Sequence, residues 1–296
     1  MPYKRRISVK DISSVAASKT VVINIPTGPR CHGLILQHGY AAGTNTAVAA
    51  AANITDIRIK VNGRIQRTHS GTQLRDMNNL MGTQTSALQY DFTGVPNTAP
   101  GVTIPIFFAE PWRRDVKDSD ALAWWTNQFE SFQIEVDLGA ASTPTLVCWA
   151  IVDDPIAFPK ELQPISKVYR LNVNAAGTAY DITTLDKRDY LTQMTIYPDS
   201  GGSNQPSRVY LRKDSVILHE LTVSANLALN QNMGGMMPVL STVRTANVYD
   251  LVFDTDDLLG SAPLLQGARD LVLTIESASA MSGTQTLILS KVGLPD

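Results

Sequence analysis

The stretch ITDIRIKVNGRIQ, Ile54 to Gln66, followed by SGTQLRDMNNLMG, Ser70 to Gly82, has a counterpart about half a chain length later. The second copy is PSRVYLRKDSVILHE, Pro206 to Glu220, followed by VSANLALNQNMGG, Val223 to Gly235. In the first copy Ile57, Ile59 and Val61 share one face of a strand, and Asp56, Arg58 and Lys60 take the other. Asn62-Gly63 then supplies the positive φ angles of a two-residue hairpin turn. In the second copy Val209 and Leu211 alternate with Arg208, Tyr210 and Arg212, and the turn falls near Asp214-Ser215. Two similar all-β halves in one chain point to a scaffold before an enzyme.

Working outward, the order of strand signals is the same in both halves. SKTVVINIP (Ser18 to Pro26), GPRC and GLILQHGY are matched with KVYRLNVN (Lys167 to Asn174) and YLTQMTIYP (Tyr190 to Pro198). FQIEVDL and TLVCWAIV form a hairpin, as do LVLTIES and TLILSKV. Between the halves, prolines 155, 159 and 164 break regular structure and stiffen a linker at about 154–164. The expected domains are 1–157, with a short basic arm at 1–17, and 158–296. Their strand spacing of about 8 to 12 residues fits sandwich or jelly-roll units.

Helix is scarce. Ser119 to Phe129 is predicted as an amphipathic helix, with Ser119 as N-cap and Leu122, Trp125 and Phe129 on one face. The Trp124-Trp125 pair within it is assigned to core packing rather than to a ligand platform. QLRDMNNLM and NLALNQNM are expected to form one or two helical turns each. The Ala-rich AAGTNTAVAAAAN, Ala41 to Asn53, is expected to be an extended loop.

The 296 residues suffice for two cores, and a net charge of −2 gives no field that would draw the chain to nucleic acid. Only 18 % of residues are charged, which is compatible with a surface largely buried in assembly. Cys31 and Cys148 sit in apolar runs and are expected to be buried reduced thiols. No apolar run reaches the ~18 residues of a membrane span, and MPYKRRISVK does not resemble a secretory signal. A soluble chain made in a reducing cytoplasm is expected.

Catalytic motifs are mostly missing: HExxH, CxxC, the phosphate-binding loop, GxGxxG and GxSxG do not occur. His32 and His38, six positions apart on one strand, would lie about 20 Å apart, too far to share a metal. His69 and His219 are scattered, and all four histidines are read as structural. The acidic clusters Asp115, Asp118 and Asp120, and Asp254, Asp256 and Asp257, have the spacing that hard cations such as calcium accept. Neither has a Gly-centred calcium loop, and acids before a helix are favoured by its dipole. The basic start, Lys4, Arg5 and Arg6, is a short positive patch on a mobile terminus, suited to phosphate or a lipid headgroup. Asn53-Ile54-Thr55 matches a glycosylation acceptor by coincidence.

The first half resembles the major coat proteins of corticovirus-type viruses, tailless icosahedral particles that enclose a membrane. The resemblance rests on IPTGPRCHGLIL, ITDIRIKVNGRIQ, SGTQLRDMNNLMG, IPIFFAEPWRRD and FQIEVDL in that order, covering about Val21 to Asp153. The second half is carried over mainly through the internal duplication. The resemblance implies a double jelly roll, two eight-stranded sandwiches in tandem with few short helices. It further implies a homotrimeric capsomer of pseudo-hexagonal outline, and calcium as the ion to consider at Asp115, Asp118, Asp254, Asp256 and Asp257; no other cofactor is expected.

The leading expectation is therefore a structural, non-enzymatic capsid protein, made in the host cytoplasm and resident in the virion. Its partners would be itself, penton and membrane proteins of the virion, and the inner membrane, with Lys4, Arg5 and Arg6 near that membrane. No specific nucleic acid is expected. The alternative is a two-domain carbohydrate- or receptor-binding sandwich, which a glycan array and a monomeric mass would distinguish. A glycosidase needs two carboxylates facing one cleft, and the sequence places no such pair.

Overall fold

The computed structural model describes residues 4–40, 47–80, 101–111, 119–154, 157, 159–197, 206–232, 248–253 and 262–296. The chain divides into two compact units, Met1–Ser166 with Leu294–Asp296, and Lys167–Gly293.

The first unit contains β1 (Arg5–Val9), β2 (Thr20–Asn24), β3 (Arg30–Gly39), β4 (Ile54–Val61), β5 (Arg64–His69), β6 (Gly101–Phe107), β7 (Trp124–Trp125), β8 (Phe132–Leu138) and β9 (Thr145–Asp153). Within it one sheet runs β1-β9-β3-β6, with β7 also on β3, and the other runs β2-β8-β4-β5. The second unit contains β10 (Ile165–Asn174), β11 (Gly177–Ile182), β12 (Tyr190–Tyr197), β13 (Pro206–Lys213), β14 (Val216–Thr222), β15 (Tyr249–Val252), β16 (Leu271–Met281) and β17 (Thr284–Gly293). Its sheets run β10-β17-β12-β15 and β11-β16-β13-β14. With β7 set aside, the strands of the first unit taken in order are replaced one for one by β10 to β17. Both units are eight-stranded jelly rolls, and the chain is all-β.

Alternation builds both cores. Ile57, Ile59 and Val61 of β4 join Ile134 and Val136 of β8, and Leu34 and Leu36 of β3 join Cys148 and Ala150 of β9, all fully buried. In the second unit Val209, Leu211, Leu273, Ile275, Leu287 and Leu289 occupy the equivalent interior. Cys31 and Cys148 are free and buried, and burial pushes both thiols up to about 12.

The correspondence extends to irregularities. β3 carries a bulge at His32 against β9, and β12 carries one at Thr192 against β17. β5 is bulged at Gln66 against β4, and β14 at Leu218 against β13. β4 is bulged at Thr55 against β8, and β13 at Ser207 against β16. The hydroxyls of Thr55 and Ser207 even donate to equivalent carbonyls, Asp137 O at 3.1 Å and Glu276 O at 3.2 Å. A bulge adds one unpaired residue and re-aims the strand, so matched bulges mark matched geometry.

The hairpin tips match as well. Asn62 and Gly63 have φ of 51° and 79°, and Asp214 and Ser215 have 48° and 71°. Asn62 Oδ1 accepts from the backbone N–H groups of Glu130 (2.8 Å) and Ser131 (3.2 Å), just before β8. Asp214 Oδ1 accepts from those of Arg269 (2.8 Å) and Asp270 (2.9 Å), just before β16. Each turn residue also donates its own N–H across the same gap, to Ser131 O and Asp270 O.

Four expectations are corrected. KVYRLNVN is not the partner of SKTVVINIP: it forms β10, whose counterpart is β1, while SKTVVINIP forms β2, the counterpart of β11. The basic start is accordingly not a mobile arm, because Arg5–Val9 pairs along its whole length with β9. The Ala-rich segment is not wholly an extended loop: Ala47–Asn53 is helix α1. Alanine is the strongest helix former, and Ala50 and Ala51 are fully buried. Lastly, Ser119–Phe129 is not one helix. Trp124 and Trp125 pair with Cys31 and Arg30 on β3, and Thr126–Gln128 is a single tight 3₁₀ turn. Extended backbone there lets Trp124 stack on Phe108 with ring centroids 4.0 Å apart, which makes Trp124 a core residue as expected.

The Leu-bearing stretches are helices α2 (Gly71–Leu80) and α3 (Val223–Asn232). Ser70 Oγ accepts from Gln73 N–H and Gln73 Oε1 accepts from Ser70 N–H, a reciprocal cap on α2. Gly71 follows because a Cβ there would lie 2.3 Å from Ala51 O of α1. In the linker, Gln128 donates to Pro159 O and Glu161 O and accepts from Gln163 N–H.

Replacing Asn62 by Ala removes the acceptor for two N–H groups. Urea unfolding is expected to show a loss of ~1 kcal/mol, the size of a lost side-chain cap. Asp214→Ala is expected to weaken the second unit in the same direction. The Asp270 and Arg269 N–H groups hold the Asp214 carboxyl below its ordinary value, so its contribution is present at neutral pH and fades as pH falls through the carboxylate range.

Candidate functional site

The basic start is built into a chain of charges. Lys4 Nζ lies 2.6 Å from Asp120 Oδ1, and Arg5 pairs with Asp154. Asp120 Oδ1 in turn lies 3.2 Å from His32 Nδ1, and His32 Nε2 lies 3.0 Å from Asp153 Oδ2. Asp153 is fully buried and accepts two hydrogen bonds from Arg30, at 3.0 and 2.6 Å. The bulge at His32 turns its ring toward these carboxylates. Burial alone would raise the Asp153 carboxyl, but Arg30 and His32 outweigh it and hold the group ionised. His32 itself is pushed down by burial, against the pull of the two carboxylates. Lys4 and Arg30 balance Asp120 and Asp153, and His32 stands between the two carboxylates.

The second unit has a cluster at the same end of its equivalent strands, with sign altered. Lys167 of β10 and Lys291 of β17 are each 1 % exposed. Lys167 Nζ lies 3.1 Å from Asp189 Oδ2, and Lys291 Nζ lies 3.1 Å from Asp186 Oδ2 while donating to Asp186 O and Arg188 O. Burial lowers Lys291, opposed by Asp186. Gly293 is required here, since a Cβ would sit 2.0 Å from Asp189 Oδ1.

In both clusters the described charged groups are paired with one another. Cys31, His32 and Asp153 superficially suggest a nucleophile with its base. Yet the Cys31 thiol donates to Gly33 O and burial pushes it up to about 12, so no thiolate is on hand. Glu135 and Asp137 are a close carboxylate pair on β8, but Arg58 and Lys60 of β4 take both up. In the second unit Tyr210 and Glu276, at the positions equivalent to Arg58 and Asp137, are joined by a 3.1 Å hydrogen bond.

Of the calcium candidates, Asp115, Asp118, Asp254, Asp256 and Asp257 lie outside the described residues, and no coordination is built on them. Among the described residues no group of three or more His, Cys, Asp or Glu is arranged to hold a metal. Asn53, the glycosylation match, donates its Nδ2 to His38 Nε2 at 2.9 Å, while His38 Nδ1 donates to Thr145 O. No described helix is long and apolar enough to cross a membrane. The network of Lys4, Arg30, His32, Asp120 and Asp153 was invisible to sequence spacing, because β-pairing alone brings those positions together.

β1 and β14 each lie at the end of a sheet. Among the described residues, β1 pairs only with β9, and β14 only with β13. On β14, Val216 and Ile217 are 63 % and 53 % exposed. The edge of β6, in contrast, carries α1 and α2 against it.

Burial holds His32, His38 and His219 all below the ordinary histidine value. The unfolded chain therefore takes up more protons as pH drops below about 6.5. Folding stability is expected to be complete above that pH and to fall below it, as read by urea midpoints across pH 5 to 8 (roughly the range in which histidine charges). His32→Gln should flatten the profile. An unchanged profile would mean His32 is charged in the folded protein.

No curated protein matches the chain in sequence. Among solved structures, the major capsid protein P2 of bacteriophage PM2 superposes with a TM-score of 0.74 at 17 % identity, covering 99 % of this chain and 98 % of that one. The structure of Sulfolobus turreted icosahedral virus gives a TM-score of 0.73 at 13 % identity, with 99 % and 91 % covered. The Faustovirus major capsid protein gives 0.63 at 7 %, with 100 % and 91 % covered. These likenesses establish the double jelly-roll fold. Residues 6–153, beginning inside β1, match the family model of the viral coat protein P2 N-terminal domain. The chain belongs to the viral coat protein P2 N-terminal domain family.

Proposed function

We propose that this chain is a structural major capsid protein, whose trimers form pseudo-hexagonal capsomers in an icosahedral shell around an internal membrane. The observation that carries this is the repetition of one eight-strand order, with its bulges and latched turns, in both units. Three chains then supply six near-equivalent jelly rolls around one axis, and closed symmetry limits association until lattice contacts form. The work is done by interfaces and needs no reaction and no cofactor. Trimers would meet one another, penton and membrane proteins in the virion, after synthesis in the host cytoplasm.

Lys4, Arg5 and Arg6 are proposed to lie toward the membrane. Since Asp120 and Asp154 already neutralise Lys4 and Arg5, the charge left for headgroups falls mainly on Arg6. The carbohydrate-binding alternative gains nothing. Trp124 is buried, Trp125 lies under the Arg30 guanidinium 5.0 Å from its ring, and Trp112 is outside the described residues.

Size-exclusion chromatography with light scattering is expected to give three chain masses. A strict monomer over a wide concentration range would overturn the capsomer.

A further inference from the structure

The edges of β14 and β1 differ in character. β14, VILHELT, presents two strongly exposed aliphatic side chains, and Val216 is the most exposed large hydrophobic among the described residues. It carries neither Lys nor Pro, and its one blunting device is the bulge at Leu218. Such an edge invites another strand. β1, RRISV, carries two exposed arginines and no acid, whereas the only formal charge on β14 is Glu220.

From these edges we infer that β14 of one copy pairs with β1 of the next, making a continuous strand-to-strand seam between chains. The inference rests on the trimer proposed above and names the contact that would close it. The occupant follows from three observations. A strand edge with open N–H and C=O groups is satisfied most completely by another strand edge, and the described residues leave β1 open for that purpose. The charges are complementary, with Arg6 having no ion-pair partner among the described residues and the Glu220 side chain being partly exposed beside Arg208. Finally, β14 belongs to the second unit and β1 to the first. Every chain therefore offers one edge of each kind, and the contact is head-to-tail. Such a contact either closes into a ring or grows into a filament. With two jelly rolls per chain, three copies close a six-unit ring through three identical seams. A pairing of β14 with β14 would instead stop at two copies.

The seam would place Arg6 between copies rather than against headgroups, so the two roles of this residue separate experimentally. Light scattering of the wild type is compared with Ile217→Lys, whose side chain is already 53 % exposed and whose fold is checked by circular dichroism. Amide hydrogen exchange is followed in the wild type from dilute to concentrated samples.

The expected result is a wild-type trimer in which β14 and β1 amides together exchange at least about tenfold more slowly than in dilute monomer. Ile217→Lys should run as a folded monomer. A trimer that persists in Ile217→Lys, with β14 exchange unchanged by concentration, would overturn the seam and leave the capsomer standing. Protection of β1 only on adding phosphatidylglycerol vesicles would assign Arg6 to lipid and also overturn it. A wild type that never trimerises would remove the capsomer, and the seam with it.

Discussion

A single side-chain oxygen at each hairpin tip, accepting two consecutive backbone N–H groups, fixes how the inner strands of each unit line up. Asn62 does this for the segment entering β8, and Asp214 for the segment entering β16. The contact joins residues far apart in sequence, so it sets the register of β4 on β8 and of β13 on β16 directly. A slip of one residue would turn every buried Ile and Val of those strands outward. Packing of the cores, placement of the bulges and alignment of the outer charges all presuppose this register. That an amide serves in one half and a carboxylate in the other shows that the acceptor oxygen matters, not the residue type.

How much of this was legible in the sequence follows from which physics acts locally. The Asn62-Gly63 turn and the alternation in β4, β8 and β13 are local, so pattern and residue type announce them. β1 carries little local signal, since only Ile7 and Val9 of its five residues are apolar; the pairing with β9 makes it a strand. Without β1 in the count, β2 lines up with β10 instead of with β11. The Ser119–Phe129 periodicity was real but was overridden by Trp124, which fills a site beside Phe108 that only extended backbone reaches. Helix α1 lacked the polar face that helix patterns require, because its buried contacts need only alanine.

The bulges and the ion clusters had no sequence signal. His32 and Thr192 share a structural position without sharing chemistry, and Asp120, Asp153 and Lys4 meet only after three separate strand pairings. Buried charge of this kind is poor evidence of added stability, since removing the ions from water costs about as much as their attraction returns. Its value lies in excluding arrangements that leave a charge unmatched. The outer faces of β4 and β8 tell a related story. Arg58, Lys60, Glu135 and Asp137 satisfy one another there.

The altered signs of the two buried clusters have a consequence for a nascent tandem repeat, whose halves offer nearly interchangeable strands. In the first unit β3 brings Arg30 to Asp153 of β9, whereas in the second Asp186 and Asp189 precede β12 and face Lys291 of β17. Exchanging these strands between halves would confront Arg30 with Lys291, and Asp189 with Asp153, at positions where Lys291 and Asp153 are buried. Such an exchange is disfavoured by like-charge contact. Duplication makes the two halves nearly alike in strand order, and this inversion makes them unlike in buried charge.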